Sequence, residues 1–168
     1  MPGYQRVTDD EARAKFEKAY GVPIQPQPGR TNMQMLDAIM EGKMKAMYLV
    51  GEDMALVDCN ANHVDEVLSQ LDFFVVQDCF LSRTAQYADV ILPAAPSLEK
   101  EGTFTNTERR VQRLYQVLPT LGESKADWEI LQAVARRLGA DWHYDHPSDI
   151  FDEMASYLPS SHKPTMMF

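Results

Sequence analysis

Two apolar runs in this 168-residue chain stop at groups that could do chemistry. "AMYLV" (46–50) ends at Gly51-Glu52-Asp53, and "FFVV" (73–76) ends at Gln77-Asp78. Carboxylates in such places suit a ligand that offers donors, such as a ribose diol or the N1–H and N2–H₂ edge of guanine. Glycine at position 51 lets the backbone turn and lets a ligand approach closely. Ser82 and Thr84 follow at the expected start of a short helix over 82–87, where unpaired N–H groups can receive a phosphate. Each residue also has a plainer role. Strand-to-helix loops are polar in any case, Asp78 suits a turn cap, and Ser82 and Thr84 suit helix caps.

The elements that must position these groups follow from the apolar spacing. The runs at 46–50 and 73–76 have strand length, and "DVILP" (89–93) is a third. Between the first two, Val64, Val67, Leu68 and Leu71 fall at helical spacing and predict a helix over 60–71. Fully apolar strands alternating with helices predict a mostly parallel sheet with helices on both faces, a Rossmann-like three-layer α/β domain. Ligands of such sheets sit beyond the carboxyl ends of the strands. The tips after Val50 and Val76 are therefore expected on one rim.

The flanks read as helices and connectors of a single domain over 1–168. Thr8-x-x-Glu11 predicts a capping box for a helix carrying Phe16, Ala19 and Tyr20, stopped by Gly21 and Pro23. "VPIQPQPGR" (22–30) is an extended, proline-rich connector. A second helix starts near Thr31 or Asn32, turns Leu36, Ile39 and Met40 inward and ends at Gly42. Residues 94–118 predict an irregular loop and one or two extended segments. Ser124-x-x-Asp127 predicts a capping box for a helix facing inward through Trp128, Leu131, Ala135 and Leu138, and a last helix begins near Pro147 with Ile150, Phe151, Met154 and Leu158 inward.

Composition removes several function classes. A formal net charge of −9 argues against a generic nucleic-acid surface, though not against a small anionic cofactor bound by local donors. No apolar stretch approaches the roughly 18 residues of a membrane helix, and the N-terminus lacks the apolar core of a secretory signal. Cys59 and Cys79 are the only cysteines, which points to a reducing, cytoplasmic setting. His63, His143, His146 and His162 show no metal spacing, and no Walker, G-x-S-x-G or C-x-x-C sequence occurs. No catalytic residue or metal ligand is expected here. On pattern alone Lys100, between Glu99 and Glu101, is a solvated surface lysine, as are the arginines of Arg109-Arg110, and Cys79 is a small core residue.

Three longer strings carry a family resemblance. "MYLVGEDMALVD", "FFVVQDCFLSRTAQYADVILPAAPSLEKEGTFTNTERRVQ" and "ESKADWEILQAVARRLG" resemble the large subunit of molybdenum-dependent formate dehydrogenases. These belong to the dimethyl sulfoxide reductase family, which holds a bis-molybdopterin guanine dinucleotide (bis-MGD) cofactor. The resemblance implies part of a guanine dinucleotide site. Glu52, Gln77, Asp78, Lys100 and Asp127 match family positions at the nucleotide, with Gly51, Asp53, Ser82, Thr84 and Gly102 drawn in as neighbours. It implies a fragment of a much longer enzyme whose 4Fe–4S cysteines and molybdenum-ligating residue lie in other segments. The implied partners are the cofactor and the remaining domains, with no nucleic acid and no membrane contact. The implied activity of the parent is oxidation of formate to carbon dioxide, and the isolated chain is expected to be inactive. Nitrate reductases carry a similar series. The metal-free large subunit of respiratory complex I is a structural alternative, which the polar "GED" and "EKEGTFTNTERR" segments disfavour.

Overall fold

A computed structural model describes residues 1, 3, 5–57, 61–108, 110–158 and 165–167. Cys59, Arg109 and His162 lie outside the described residues. The three apolar runs form β1 (Ala46–Val50), β2 (Phe73–Asp78) and β3 (Val90–Pro93), hydrogen-bonded in the order β1-β2-β3. Both pairings are parallel, with Val50 opposite Gln77 and Asp78 opposite Pro93. Parallel strands need a crossover between them. The first crossover runs through α3 (Met54–Val57) and α4 (Ala61–Leu68), and the second through a single 3₁₀ turn, Thr84–Tyr87.

Side chains alternate across a strand, and the two faces of this sheet differ. Phe74 and Val76 of β2, with Met47 and Leu49 of β1, pack against Leu36 and Ile39 of α2 (Asn32–Met40), Met54 and Ala55 of α3, and Val64, Val67 and Leu68 of α4. Tyr48, Val50 and Gln77 point the other way. On that side lies the start of α5 (Asp127–Arg137), whose first residue meets Gln77. The result is the Rossmann-like α/β arrangement that the apolar strands predict.

The chain divides into two compact units, one of Met1–Gly29, Gly102–Arg113 and Tyr144–Phe168, and one of Arg30–Glu101 and Leu114–His143. The second contains the sheet. The first contains α1 (Asp10–Tyr20), β4 (Gly102–Thr105), β5 (Arg110–Leu114) up to Arg113, α6 (Pro147–Ser156) and β6 (Thr165–Met167), with β5 between β4 and β6. Its centre is Phe16, fully buried, with the rings of Tyr20 and Tyr157 at 5.7 and 5.8 Å. Tyr144 donates to Glu153 Oε2 at 2.5 Å, and that hydrogen bond, followed by desolvation, pushes the phenol up to about 12.

Several local expectations shift. α1 is capped by Asp9, one residue beyond Thr8, because the Asp9 carboxylate accepts from Glu11 N and Ala12 N. α5 begins after Ala126, whose N–H is accepted by Glu129, so the Ser124-x-x-Asp127 box does not form and the Ser124 hydroxyl donates to Leu121 O. The buried stripe also differs from the expected one: Ile130 is buried, and Leu131 and Leu138 are exposed. Met40 is exposed while Ala38 is buried in its place.

Candidate functional site

Register places the two tips side by side. Val50 is opposite Gln77, and Gly51 N–H donates to Gln77 O at 2.9 Å, so the ladder continues one residue past β1. Gly51 has φ +64°, the left-handed region that a side chain disfavours. Among the described residues, its two chain neighbours aside, no atom lies within 4 Å of where its Cβ would be, so the rim is open there. Glu52 is exposed beside it.

Asp53 and Thr84 form a strap beneath this rim. Asp53 Oδ1 accepts from Thr84 N at 3.0 Å and from the Thr84 hydroxyl at 2.6 Å, and Oδ2 accepts from Arg83 N at 3.2 Å. Burial raises the Asp53 carboxyl, and the Thr84, Arg83 and Leu56 hydrogen bonds more than offset it, leaving it below the ordinary aspartate value. The Thr84 hydroxyl in turn accepts from Ala55 N at 2.9 Å, near the start of α3. One carboxylate and one hydroxyl thus cap two short helical starts. Ser82 completes the turn by accepting from Ala85 N at 3.3 Å. The N–H groups that sequence reasoning offers to a phosphate are therefore taken up by Asp53 and Ser82.

Asp78 closes the second tip. Its Oδ1 accepts from Cys79 N at 2.6 Å and Phe80 N at 3.3 Å, an Asx turn. Cys79 is exposed rather than part of the core. Partial desolvation and then the Asp78 carboxylate raise its thiol, so the nucleophilic thiolate is disfavoured.

Asp127 comes to the rim from 50 residues away through a backbone link. Ala94 bridges Lys125 in parallel, with Lys125 N–H donating to Pro93 O and Ala95 N–H to Lys125 O. The segment before α5 thereby extends the edge of β3 and sets Asp127 at the strand ends. Asp127 Oδ1 accepts from Gln77 Nε2 at 2.8 Å, and Oδ2 accepts from Lys100 Nζ. Burial raises the Asp127 carboxyl, but the hydrogen bonds from Lys100 and Gln77 and the lysine charge hold it below the ordinary value. Lys100 follows the 3₁₀ turn Ser97–Glu99, which Leu121 N–H and the Thr120 hydroxyl anchor through Glu99. The lysine is half-buried and ion-paired, not a free surface cation.

Gln77 is fully buried, and its Oε1 accepts from the Tyr48 hydroxyl. Tyr48 is the member that sequence reasoning misses. Its position in β1, two residues before the tip and on the Gln77 side, was the available signal. Gly102 belongs to the other unit, where it lines a groove with Thr103, Arg113 and Phe151. Among the described residues no group of three or more His, Cys, Asp or Glu could hold a metal ion, and no helix is long and apolar enough to cross a membrane.

The rim brings together carboxylates with unused lone pairs, one lysine and an open glycine turn, a donor and acceptor set that fits the guanine and ribose end of a nucleotide. Family comparison bears on the same segment. The molybdopterin oxidoreductase model matches residues 13–137, and the chain belongs to that family. It is 77% identical over 159 residues to the Bacillus subtilis (strain 168) protein named "Putative formate dehydrogenase YrhE", covering 95% of this chain and 16% of that protein. It is 60% identical over 160 residues to "Putative formate dehydrogenase SH0748" of Staphylococcus haemolyticus (strain JCSC1435), with the same coverage. The chain thus spans about a sixth of the length of these relatives. The acetylene hydratase of Pelobacter acetylenicus shares the fold, with a TM-score of 0.60 at 23% identity over 94% of this chain and 22% of that one.

Proposed function

We propose that this chain is a cofactor-binding domain of a longer molybdenum-dependent formate dehydrogenase and forms one wall of a guanine dinucleotide site. The observation that carries the reading is the meeting of Asp127 and Lys100 at the ends of β1 and β2, beside the open Gly51 turn. Asp127, Asp78 and Glu52 accept from guanine and ribose donors, and Lys100 neutralises phosphate as a point charge. Gly51 leaves room for the approach. Asp53, Ser82 and Thr84 hold the rim rather than touch the ligand. The names of the relatives support formate as the substrate. When bound as bis-MGD in the complete enzyme, the molybdenum cofactor supplies the redox chemistry, and 4Fe–4S clusters held by other segments carry the electrons. This chain contributes binding and orientation, works in the cytoplasm against the remaining domains of the same enzyme, and does not turn over alone.

The test is a titration of the isotopically labelled chain with GDP. Chemical-shift changes are expected at 51–52, 78–80, 100 and 127, with AMP binding more weakly. Changes centred elsewhere, or none at millimolar GDP, would refute the reading.

A further inference from the structure

The polarity of the Tyr48–Gln77–Asp127 chain can be derived from one end. Asp127 Oδ2 is ion-paired with the Lys100 ammonium, and a carboxylate so paired only accepts. The Gln77 group facing it at 2.8 Å must therefore be the amide NH₂. The amide oxygen must then face Tyr48, so the Tyr48 hydroxyl must donate. Tyr48 keeps its proton, since desolvation and then the charge of Asp127 raise its phenol. Every donor in the chain points toward Asp127, and Lys100 closes it from the other side. Gln77 has no exposed surface, and both ends of its amide are committed within the chain. A carboxylate offers about four lone-pair sites. Gln77, Lys100 and the Asp127 N–H itself engage the carboxylate, which still leaves acceptor capacity on a group about one-third exposed.

We propose that Gln77 and Tyr48 are positioning residues that act through Asp127: Tyr48 fixes the Gln77 amide, the amide fixes the Asp127 carboxylate, and Asp127 with Lys100 meets the guanine nucleotide. This rests on the nucleotide reading above, but it assigns Gln77 an indirect role and brings in Tyr48. The consequence is non-additivity. Once Gln77 is apolar, Tyr48 has no route to Asp127, so a second change at Tyr48 adds little.

Two measurements on the full chain test this. The first is the pH midpoint of the Asp127 carboxyl carbon by NMR, without ligand, in wild type, Tyr48→Phe, Gln77→Met and the double variant. The second is GDP affinity in the same set. Both single variants should raise the midpoint and weaken GDP by about 3- to 10-fold, as expected for loss of one hydrogen bond to a charged group's network. The double variant should be no worse than Gln77→Met. A fold-neutral role would leave the midpoint unmoved. An unmoved midpoint in Tyr48→Phe, a mild change at a 37% exposed residue, overturns the proposal even if Gln77→Met fails to fold. Additive GDP losses overturn it too. A wild type that ignores GDP while the midpoints shift refutes the nucleotide site and sustains the positioning chain.

Discussion

Thr84→Val removes one buried oxygen and keeps the side-chain shape, so it isolates the strap that joins the two tips. The hydroxyl is fully buried, donates to Asp53 Oδ1 at 2.6 Å and accepts from Ala55 N at 2.9 Å. Valine strands the Ala55 N–H inside a residue with no exposed surface, at about 1–3 kcal/mol. It also removes one of the bonds to the Asp53 carboxylate, where a charge-assisted bond is worth about 1.5–3 kcal/mol. Asp53 keeps the Arg83 and Thr84 N–H groups and is only half-buried, so this second loss sits at the low end. The expected cost is about 3 kcal/mol, read as a lower urea midpoint at an unchanged m-value. Thr84→Ser keeps both bonds and loses one methyl, at about 1 kcal/mol. The order serine above valine is the reverse of what apolar burial alone gives. If valine proves as stable as threonine, or more stable than serine, the strap is not what holds the tips.

Gly51→Ala should cost about 1–2 kcal/mol through the left-handed backbone, since no atom is close enough for its methyl to clash; thermal unfolding reads it, and an unchanged Tm contradicts it. Asp53 and Asp127 both titrate below the ordinary aspartate value, so near pH 4 the unfolded chain binds more protons than the folded one. Their stabilisation is fully present above the unfolded value, about 3.9, and is lost as pH falls through the lower folded values. Denaturation curves between pH 2 and 6 should be steeper in wild type than in Asp127→Asn, and parallel curves would count against the assignment. Asp78→Ala opens the 78–80 turn and should lower the guanine dinucleotide content of the full-length enzyme; full occupancy with unchanged activity would exclude a cofactor role.

The sheet was legible because each strand is a short unbroken apolar run, and the rim was legible because parallel strands place their polar tips on the same side. Two kinds of information were not local. The short helix expected over 82–87 forms as a 3₁₀ turn at 84–87, whereas α3, only four residues long, carries no periodic signal. The capping boxes slipped by one or two residues because Asp9 takes the first-turn donors Glu11 N and Ala12 N, and Glu129 accepts from Ala126 N while the Ser124 hydroxyl turns to Leu121 O. Lys100 reads as solvated in sequence because its partner, Asp127, is distant in the chain and reaches it only through the Lys125 bridge to β3. Tyr48 was hidden for a related reason: in an apolar run a tyrosine reads as packing, and its hydroxyl acquires a role only when Gln77 is set next to it by the register.

The rim thus separates its polar groups by duty. Asp53 and Thr84 are engaged with each other and with the N–H groups of Arg83, Thr84 and Ala55, and Ser82 accepts from Ala85 N–H, so a ligand there would compete with bonds already made. Asp127 and Lys100 answer each other but are not saturated, and their pairing holds a cation and an acceptor at fixed spacing without leaving either charge alone in a half-buried place. An uncompensated carboxylate there would be driven toward protonation by its own desolvation. On the nucleotide reading proposed above, a site assembled this way takes a donor-rich base next to an anionic phosphate with little rearrangement of its own side chains, which favours binding by removing the cost of ordering them. The same logic explains why Gln77 is amide and not carboxylate: a glutamate in its place would set a second negative charge against Asp127 and lose the donor that keeps Asp127 ionised.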